Sequence, residues 1–111
     1  MKIVINNYYG GFGLSHEAVM RYAEIKKMTI VYDEVNDSYF IDTLRPENYF
    51  DPVSEIKRND PALVQVVEEM GEKAWGKFTK LKIVEIPDDV QWQIEEYDGN
   101  EWVAEKHRKW Y

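Results

Sequence analysis

The sequence contains no cysteine among its 111 residues. Without thiols the chain cannot form disulfide bridges, use a thiolate nucleophile or bind zinc through cysteine. Long apolar runs are missing too: the longest, such as residues 3–5 and 62–64, fall far below the ~18 residues that a membrane span requires. Met1-Lys2 leads directly into a strand-like run without a small-residue cleavage site, so no signal peptide is visible and we expect a cytoplasmic protein.

Basic residues are in the minority, because 14 Lys and Arg stand against 21 Asp and Glu and give a formal net charge of −7. Proteins that bind long nucleic acids need a basic surface to neutralise phosphates, so we do not expect that activity. Aromatic residues, in contrast, are abundant: four Trp, eight Tyr and four Phe exceed what one small core requires. The surplus indicates an interface or aromatic side chains that face a ligand.

Hydrophobic periodicity predicts a single α+β domain over residues 1–111, with two helices and a mostly antiparallel sheet. Ser15 is the predicted N-cap of a first helix, which runs from His16 to about Lys27. Asp60 followed by Pro61 predicts the start of a second helix, because a capping residue and a first-turn proline favour helix initiation. A glycine at position 71 predicts its end.

The strands complete the predicted element order β-α-β-β-loop-α-β-β-β. A first hairpin is expected early in the chain, and the Asp98-Gly99 dipeptide predicts a tight turn within a C-terminal β-meander. Two prolines and the lack of any sustained period predict a long loop over residues 44–59. The predicted strands cover residues 2–6, 29–35, 39–43, 81–86, 90–95 and 102–106.

The first candidate site is the glycine-rich segment that joins the first strand to the first helix. A strand that leads into such a loop, and then into a helix, gathers backbone amides that can bind phosphate oxygens. Gly11-Phe12-Gly13 followed by His16 also matches part of the dinucleotide-binding fingerprint, although the hairpin that follows does not fit that fold. The predicted ligand contacts are Asn7, Tyr8, Gly11, Phe12, Gly13 and His16.

A structural interpretation of the same segment stays open. The glycines would then only let the chain turn with positive φ. His16 would be an exposed residue of the first helical turn, rather than a neutral imidazole that donates a hydrogen bond to a ligand at the helix N-terminus.

The second candidate site is the basic C-terminal segment of this otherwise acidic chain. Its predicted ligand contacts are His107, Arg108, Lys109 and Trp110. A guanidinium makes bidentate contacts to phosphates and an aromatic ring stacks on a base, so Arg108 and Trp110 together would hold a small nucleotide. Alternatively, the segment is a basic tail that pairs with the acidic surface or frays in solvent.

Two further groups of residues have weaker functional signals. Seven carboxylates in the C-terminal third lack calcium-loop or two-metal spacing and are predicted to form a solvated face. Cationic and aromatic residues in the long loop either contact phosphate and a base or serve packing and solubility. The carboxylates are Asp88, Asp89, Glu95, Glu96, Asp98, Glu101 and Glu105, and the loop residues are Arg45, Tyr49, Phe50, Lys57 and Arg58.

The sequence favours a binding protein over an enzyme. It contains no nucleophile-elbow pattern, Walker loop or HExxH motif, so we predict no catalytic residue, no metal and no cofactor. The enzymatic alternative is a small phosphoesterase or glycosidase that uses His16 or His107 as its acid–base group.

Three blocks of the sequence resemble a group of small phage-encoded proteins. The C-terminal block is the most specific, and together the blocks cover more than half of the chain. Tyr8 departs from the pattern, since many such sequences have cysteine there, and Asn59 replaces a common aspartate. The middle of the chain, residues 28–59, matches no motif. The blocks are residues 1–7 with 9–15, 60–71, and 81–90 continuing through 95–110.

This group is similar to the first Thoeris anti-defence family of phage proteins. The resemblance implies a sponge that binds and sequesters a cyclic nucleotide immune signal without cleaving it. The ligand would be a cyclic ADP-ribose isomer or, for some members, a cyclic oligonucleotide. The resemblance further implies a homo-oligomer in the host cytoplasm, but it assigns no contact residues. The alternative is a phage-encoded inhibitor that binds a host protein through its acidic, aromatic surface.

Overall fold

A computed structural model describes residues 1–106 of the chain. Its first half contains β1 (Lys2–Asn6), α1 (His16–Lys26), β2 (Ile30–Asp33), β3 (Ser38–Ile41), β4 (Tyr49–Phe50) and the one-turn helix α2 (Pro52–Glu55). Its second half contains α3 (Pro61–Met70), β5 (Leu81–Glu85), β6 (Trp92–Tyr97) and β7 (Asn100–Glu105). Short 3-10 turns at Pro46–Asn48 and Gly71–Ala74 complete the secondary structure.

The predicted α+β class with antiparallel strands is confirmed. The strands form three small sheets: β1 with β5, β2 with β3 and β4, and β6 with β7. The C-terminal third differs from a continuous meander, because β5 pairs with β1 and only β6 and β7 form the predicted hairpin. The reason is that β1 is buried along nearly its whole length, and its backbone groups need a neighbouring strand to complete their hydrogen bonds.

The helix ends follow their local sequence signals. The Ser15 hydroxyl accepts a hydrogen bond from the Ala18 amide at 3.1 Å, and an Asp60 carboxylate oxygen accepts one from the Ala62 amide at 2.8 Å. Gly71 ends α3 with a φ of 57°, as predicted for a terminal glycine. None of the helices within residues 1–106 is long and apolar enough to cross a membrane.

The hydrophobic core of residues 1–106 lies between β1, α1 and α3. Val4 and Leu63 are fully buried in it, and Val66 and Ala18 complete the contact between strand and helices. Because each buried aliphatic side chain contributes about 1.5–3 kcal/mol relative to exposure, this core fixes the position of β1 and of the loop that follows it.

The segment over residues 44–59 is more ordered than the predicted long loop. Proline at the first turn initiates both short helices there, and β4 adds two residues to the edge of β3. Phe50 is buried in the core, so it cannot supply a stacking surface for a ligand. Tyr49 is half exposed and contacts Phe40 edge to face, with ring centroids 5.9 Å apart.

Candidate ligand-binding face

Residues 7–14, which connect β1 to α1, form a segment that we call the glycine loop. Backbone hydrogen bonds join both ends of the loop to the segment between α3 and β5. The Asn7 amide donates to the Lys80 carbonyl at 2.7 Å, and the Ser15 amide donates to the Ala74 carbonyl at 3.0 Å. The loop is therefore a fixed part of the fold, because its ends cannot move without breaking these bonds.

Asn6 joins the glycine loop to two other segments through one fully buried side chain. Its Nδ2 atom donates to the carbonyls of Tyr8 and Gly99, at 2.7 and 2.8 Å. Its Oδ1 atom accepts from the Lys80 amide at 3.0 Å. No sequence pattern indicates this role for Asn6, because a polar residue at the end of a strand gives no sign that it will be buried.

Two glycines allow neighbouring segments to approach the loop closely. A Cβ atom on Gly10 would lie 1.8 Å from the carbonyl oxygen of Phe78, and one on Gly99 would lie 2.6 Å from the Gly11 nitrogen. Gly11 differs, because its Cβ would meet open space but its φ of +87° disfavours any L side chain. These glycines thus have structural roles, and ligand contact at the loop stays a prediction.

Backbone donors remain available along the loop. Within residues 1–106, no protein acceptor receives a hydrogen bond from the amides of Gly10, Phe12 or Gly13. Phe12 and Gly13 are consecutive, and consecutive backbone amides in turns can together bind an anion. The loop can therefore offer donors to a phosphate.

Exposed aromatic and cationic side chains surround the loop and form what we call the glycine-loop face: Tyr8, Tyr9, Lys77, Phe78 and Lys80. The three rings are 40%, 63% and 67% exposed in chain order. The Lys80 Nζ atom lies 4.7 Å from the centre of the Tyr8 ring, and the Lys77 Nζ atom lies 5.8 Å from that of Phe78. Of these five residues, only Tyr8 is a contact predicted from the sequence. Residues 72–79 have no regular periodicity, and their proximity to the loop depends on the pairing of β1 with β5.

Phe78 has an unusual backbone conformation for a bulky residue. Its φ is +61°, in the left-handed region that favours glycine. Core packing does not require the side chain, since most of it is exposed. Strain of this kind costs about 1–3 kcal/mol and occurs preferentially at functional sites, which makes Phe78 a candidate contact residue.

Phe12 lies on the inner side of the loop and faces a buried ion pair. The Arg58 guanidinium stacks on its ring, 3.5 Å from the ring centre, and donates to both carboxylate oxygens of Glu101 at 2.6 and 2.9 Å. Glu101 also accepts from the Asn6 amide at 2.8 Å. The prediction that Glu101 belongs to a solvated face is therefore wrong. Of the two roles considered for Arg58, the structure shows the packing role.

His16 contacts the first hairpin instead of the glycine loop. Its Nδ1 atom lies 3.0 Å from the Tyr39 hydroxyl, and its ring centre lies 4.4 Å from that of Tyr32. The Tyr32 hydroxyl donates to Asp37 at 2.7 Å, and this hydrogen bond raises the pKa of Tyr32 to about 12. The predicted contact residue His16 thus belongs to a separate aromatic cluster.

The predicted C-terminal contacts His107, Arg108, Lys109 and Trp110 lie outside the described residues. β7 begins at Asn100, beside the glycine loop, and its last residue Glu105 pairs with Trp92. Five strand steps of roughly 3.3 Å separate the two ends of β7. The chain thus leaves the hairpin at the end remote from the glycine loop.

Comparisons with known proteins give no match: no family model, no curated protein and no solved structure matches this chain. Within the described part of the chain, no group of three or more His, Cys, Asp or Glu residues could hold a metal ion. The chemistry of the glycine-loop face is therefore the basis for a functional proposal.

Proposed function

We propose that the protein captures a small phosphorylated nucleotide on the glycine-loop face and releases it unchanged. One observation carries the proposal: two exposed rings, Tyr8 and Phe78, each have a lysine beside them and adjoin a loop with available amides. Aromatic rings stack on bases, and ammonium and amide groups donate to phosphate oxygens. Since the chain as a whole carries a net charge of −7, this cationic group is a local feature.

The number of lysines and aromatic rings on the glycine-loop face suits a cyclic nucleotide with two phosphates. A cyclic ADP-ribose isomer has two phosphates and one adenine, so Lys77 and Lys80 offer one cation for each phosphate. Tyr8 or Phe78 would stack on the base. The resemblance to the Thoeris anti-defence family supports the same class of ligand. We therefore propose a phage sponge that acts in the host cytoplasm, as a homo-oligomer, and removes a cyclic nucleotide immune signal.

Thermal unfolding in the presence of a ligand panel tests the proposal. The panel contains cyclic ADP-ribose isomers, cyclic dinucleotides, linear ADP-ribose and inorganic phosphate. A ligand present at 100 times its dissociation constant stabilises a protein by about 2.7 kcal/mol, which a melting curve detects easily. Mass spectrometry of the ligand released by heat should return the original mass. A chemically altered product, or no stabilisation by any cyclic nucleotide, contradicts the proposal.

A pair of lysine variants locates the site. Lys80→Gln removes a cation from the glycine-loop face, whereas Lys27→Gln removes one from an exposed position after α1. We expect titration calorimetry to show at least tenfold weaker binding for the first variant and unchanged binding for the second. Equal losses would indicate that the ligand responds only to net charge.

The alternative function, inhibition of a host protein, has its own structural support. The exposed aromatic residues Tyr97 and Trp102 lie on the β6–β7 hairpin, whose strands contain no lysine or arginine. The charge of that surface is opposite in sign to that of the glycine-loop face.

A further inference from the structure

One face of the β6–β7 hairpin carries exposed aromatic residues that the core does not use. The strand register places Glu95 opposite Trp102 and Tyr97 opposite Asn100, so these side chains lie on the same face. Tyr97 is 73% exposed and Trp102 is 42% exposed. We call this surface the outer hairpin face. Glu101 points to the opposite side, where it is buried against Arg58, and so anchors the hairpin.

Trp102 is held in place on the surface instead of being buried. Its indole Nε1 atom donates to a Glu95 carboxylate oxygen at 3.1 Å, and Gln93 donates to the other oxygen, also at 3.1 Å. A large aromatic side chain that is ordered before binding loses little conformational entropy when a partner covers it. Trp and Tyr are also the residues enriched at the energetic centres of protein interfaces.

The charge of the hairpin region identifies the partner that would fit. From residue 83 to residue 105 the chain contains no lysine or arginine. Within residues 1–106, ion pairs involve only two of the carboxylates in this stretch, Asp88 and Glu101. The carboxylates are Glu85, Asp88, Asp89, Glu95, Glu96, Asp98, Glu101 and Glu105.

We propose that the outer hairpin face is a docking surface for a Lys/Arg-rich segment of another protein. Glu95 would attract the cationic groups, and the Tyr97 and Trp102 rings would accept arginine guanidinium groups on their faces. A second copy of this chain is a poor occupant, because an isologous pair would place the same acidic strands against each other. The proposal does not depend on nucleotide capture, since the two faces attract groups of opposite charge.

Binding of a synthetic peptide of alternating Arg and Ser tests this docking surface, with alternating Glu and Ser as the control peptide. We expect amide chemical shifts over residues 92–105 to change with the basic peptide only. The double variant Tyr97→Ser/Trp102→Ser keeps every charge, and we expect it to bind at least tenfold more weakly. The matched variant Tyr49→Ser removes an exposed ring from another sheet and should bind normally.

The outcomes separate recognition from general attraction to an acidic protein. Unchanged binding by the double variant would overturn the proposal. So would shift changes centred on residues 33–37, an acidic segment outside the hairpin. Self-association in sedimentation that disappears in the double variant would also overturn it, because the occupant would then be a second copy. If the double variant unfolds, peptide binding by the single variant Tyr97→Ser decides the question, because this variant keeps the hydrogen bond between Trp102 and Glu95.

Discussion

Arg58 and Glu101, which are 43 residues apart in the sequence, form a bidentate ion pair beneath the glycine loop. The Arg58 side chain is 17% exposed and that of Glu101 is 8% exposed, so both charges are largely removed from water. The flat face of the guanidinium covers the Phe12 ring. The pair therefore connects the hairpin, the end of the long loop and the inner side of the candidate site.

We expect Glu101→Gln to destabilise the protein by about 3–5 kcal/mol, because removing one partner leaves the Arg58 charge buried and unpaired. Urea unfolding at pH 7 measures the change. Lys2→Ala, which breaks the exposed pair with Glu68, is the control and should cost no more than about 1 kcal/mol. Similar losses in the two variants would contradict a structural role for the buried pair.

The close approach at Gly10 predicts a larger cost for a methyl group there than at Gly11. Gly10→Ala would force the new Cβ against the Phe78 carbonyl, so the backbone of two segments must shift. In Gly11→Ala the new Cβ meets open space, so the only cost in stability is that of the positive φ, about 1–2 kcal/mol. Chemical denaturation of both variants measures the difference. The reverse order of stability would show that Gly10 and Phe78 do not pack as described.

Local signals account for the parts of the fold that the sequence predicts well. The caps at Ser15 and Asp60, and the turn at Asp98-Gly99, depend on neighbours a few residues away, and the structure confirms all three. The pairing of β1 with β5 joins residues about 80 positions apart, and no local pattern encodes it. The position of Phe78 beside Tyr8 and Tyr9 follows from that pairing. Most of the glycine-loop face could therefore not be predicted from the sequence.

Acid should weaken the contact between α1 and α3. Arg21 donates to Glu69 at 2.9 Å, and this hydrogen bond, with a further one from Gln65, lowers the pKa of Glu69 to about 2. A carboxyl group with a lowered folded-state pKa stabilises the fold above its unfolded pKa of 4.5, and loses that contribution as the pH falls towards 2.

Urea unfolding at pH 7, 4.5 and 2.5 measures this acid dependence. Glu69→Gln cannot titrate, so its stability should decline less than that of the wild type between the two lower pH values. Glu47→Gln, at an exposed position whose carboxylate lies 4.0 Å from Arg45, is the control and should follow the wild-type curve. An identical decline for the Glu69 variant and the wild type would exclude Glu69 as a source of the pH dependence.

Asn6→Ala should loosen the junction between the glycine loop and β5. The substitution leaves the Lys80 amide and two carbonyl groups without their buried partner, and each unsatisfied group costs about 1–3 kcal/mol. Hydrogen exchange at the Lys80 amide should accelerate strongly. Asn7→Ala changes an exposed side chain at the next position and serves as the control, for which we expect wild-type exchange.

Two substitutions of Phe78 separate the strain of its backbone from the proposed ligand contact of its ring. At a φ of +61°, glycine is free of the strain that any L side chain experiences, so Phe78→Gly should be more stable than Phe78→Ala by about 1 kcal/mol. Both variants remove the exposed ring, and both should bind the cyclic nucleotide at least tenfold more weakly. Urea unfolding and titration calorimetry of the same samples give the two quantities. An alanine variant as stable as the glycine variant would contradict the left-handed backbone, whereas binding that survives in both would remove Phe78 from the site.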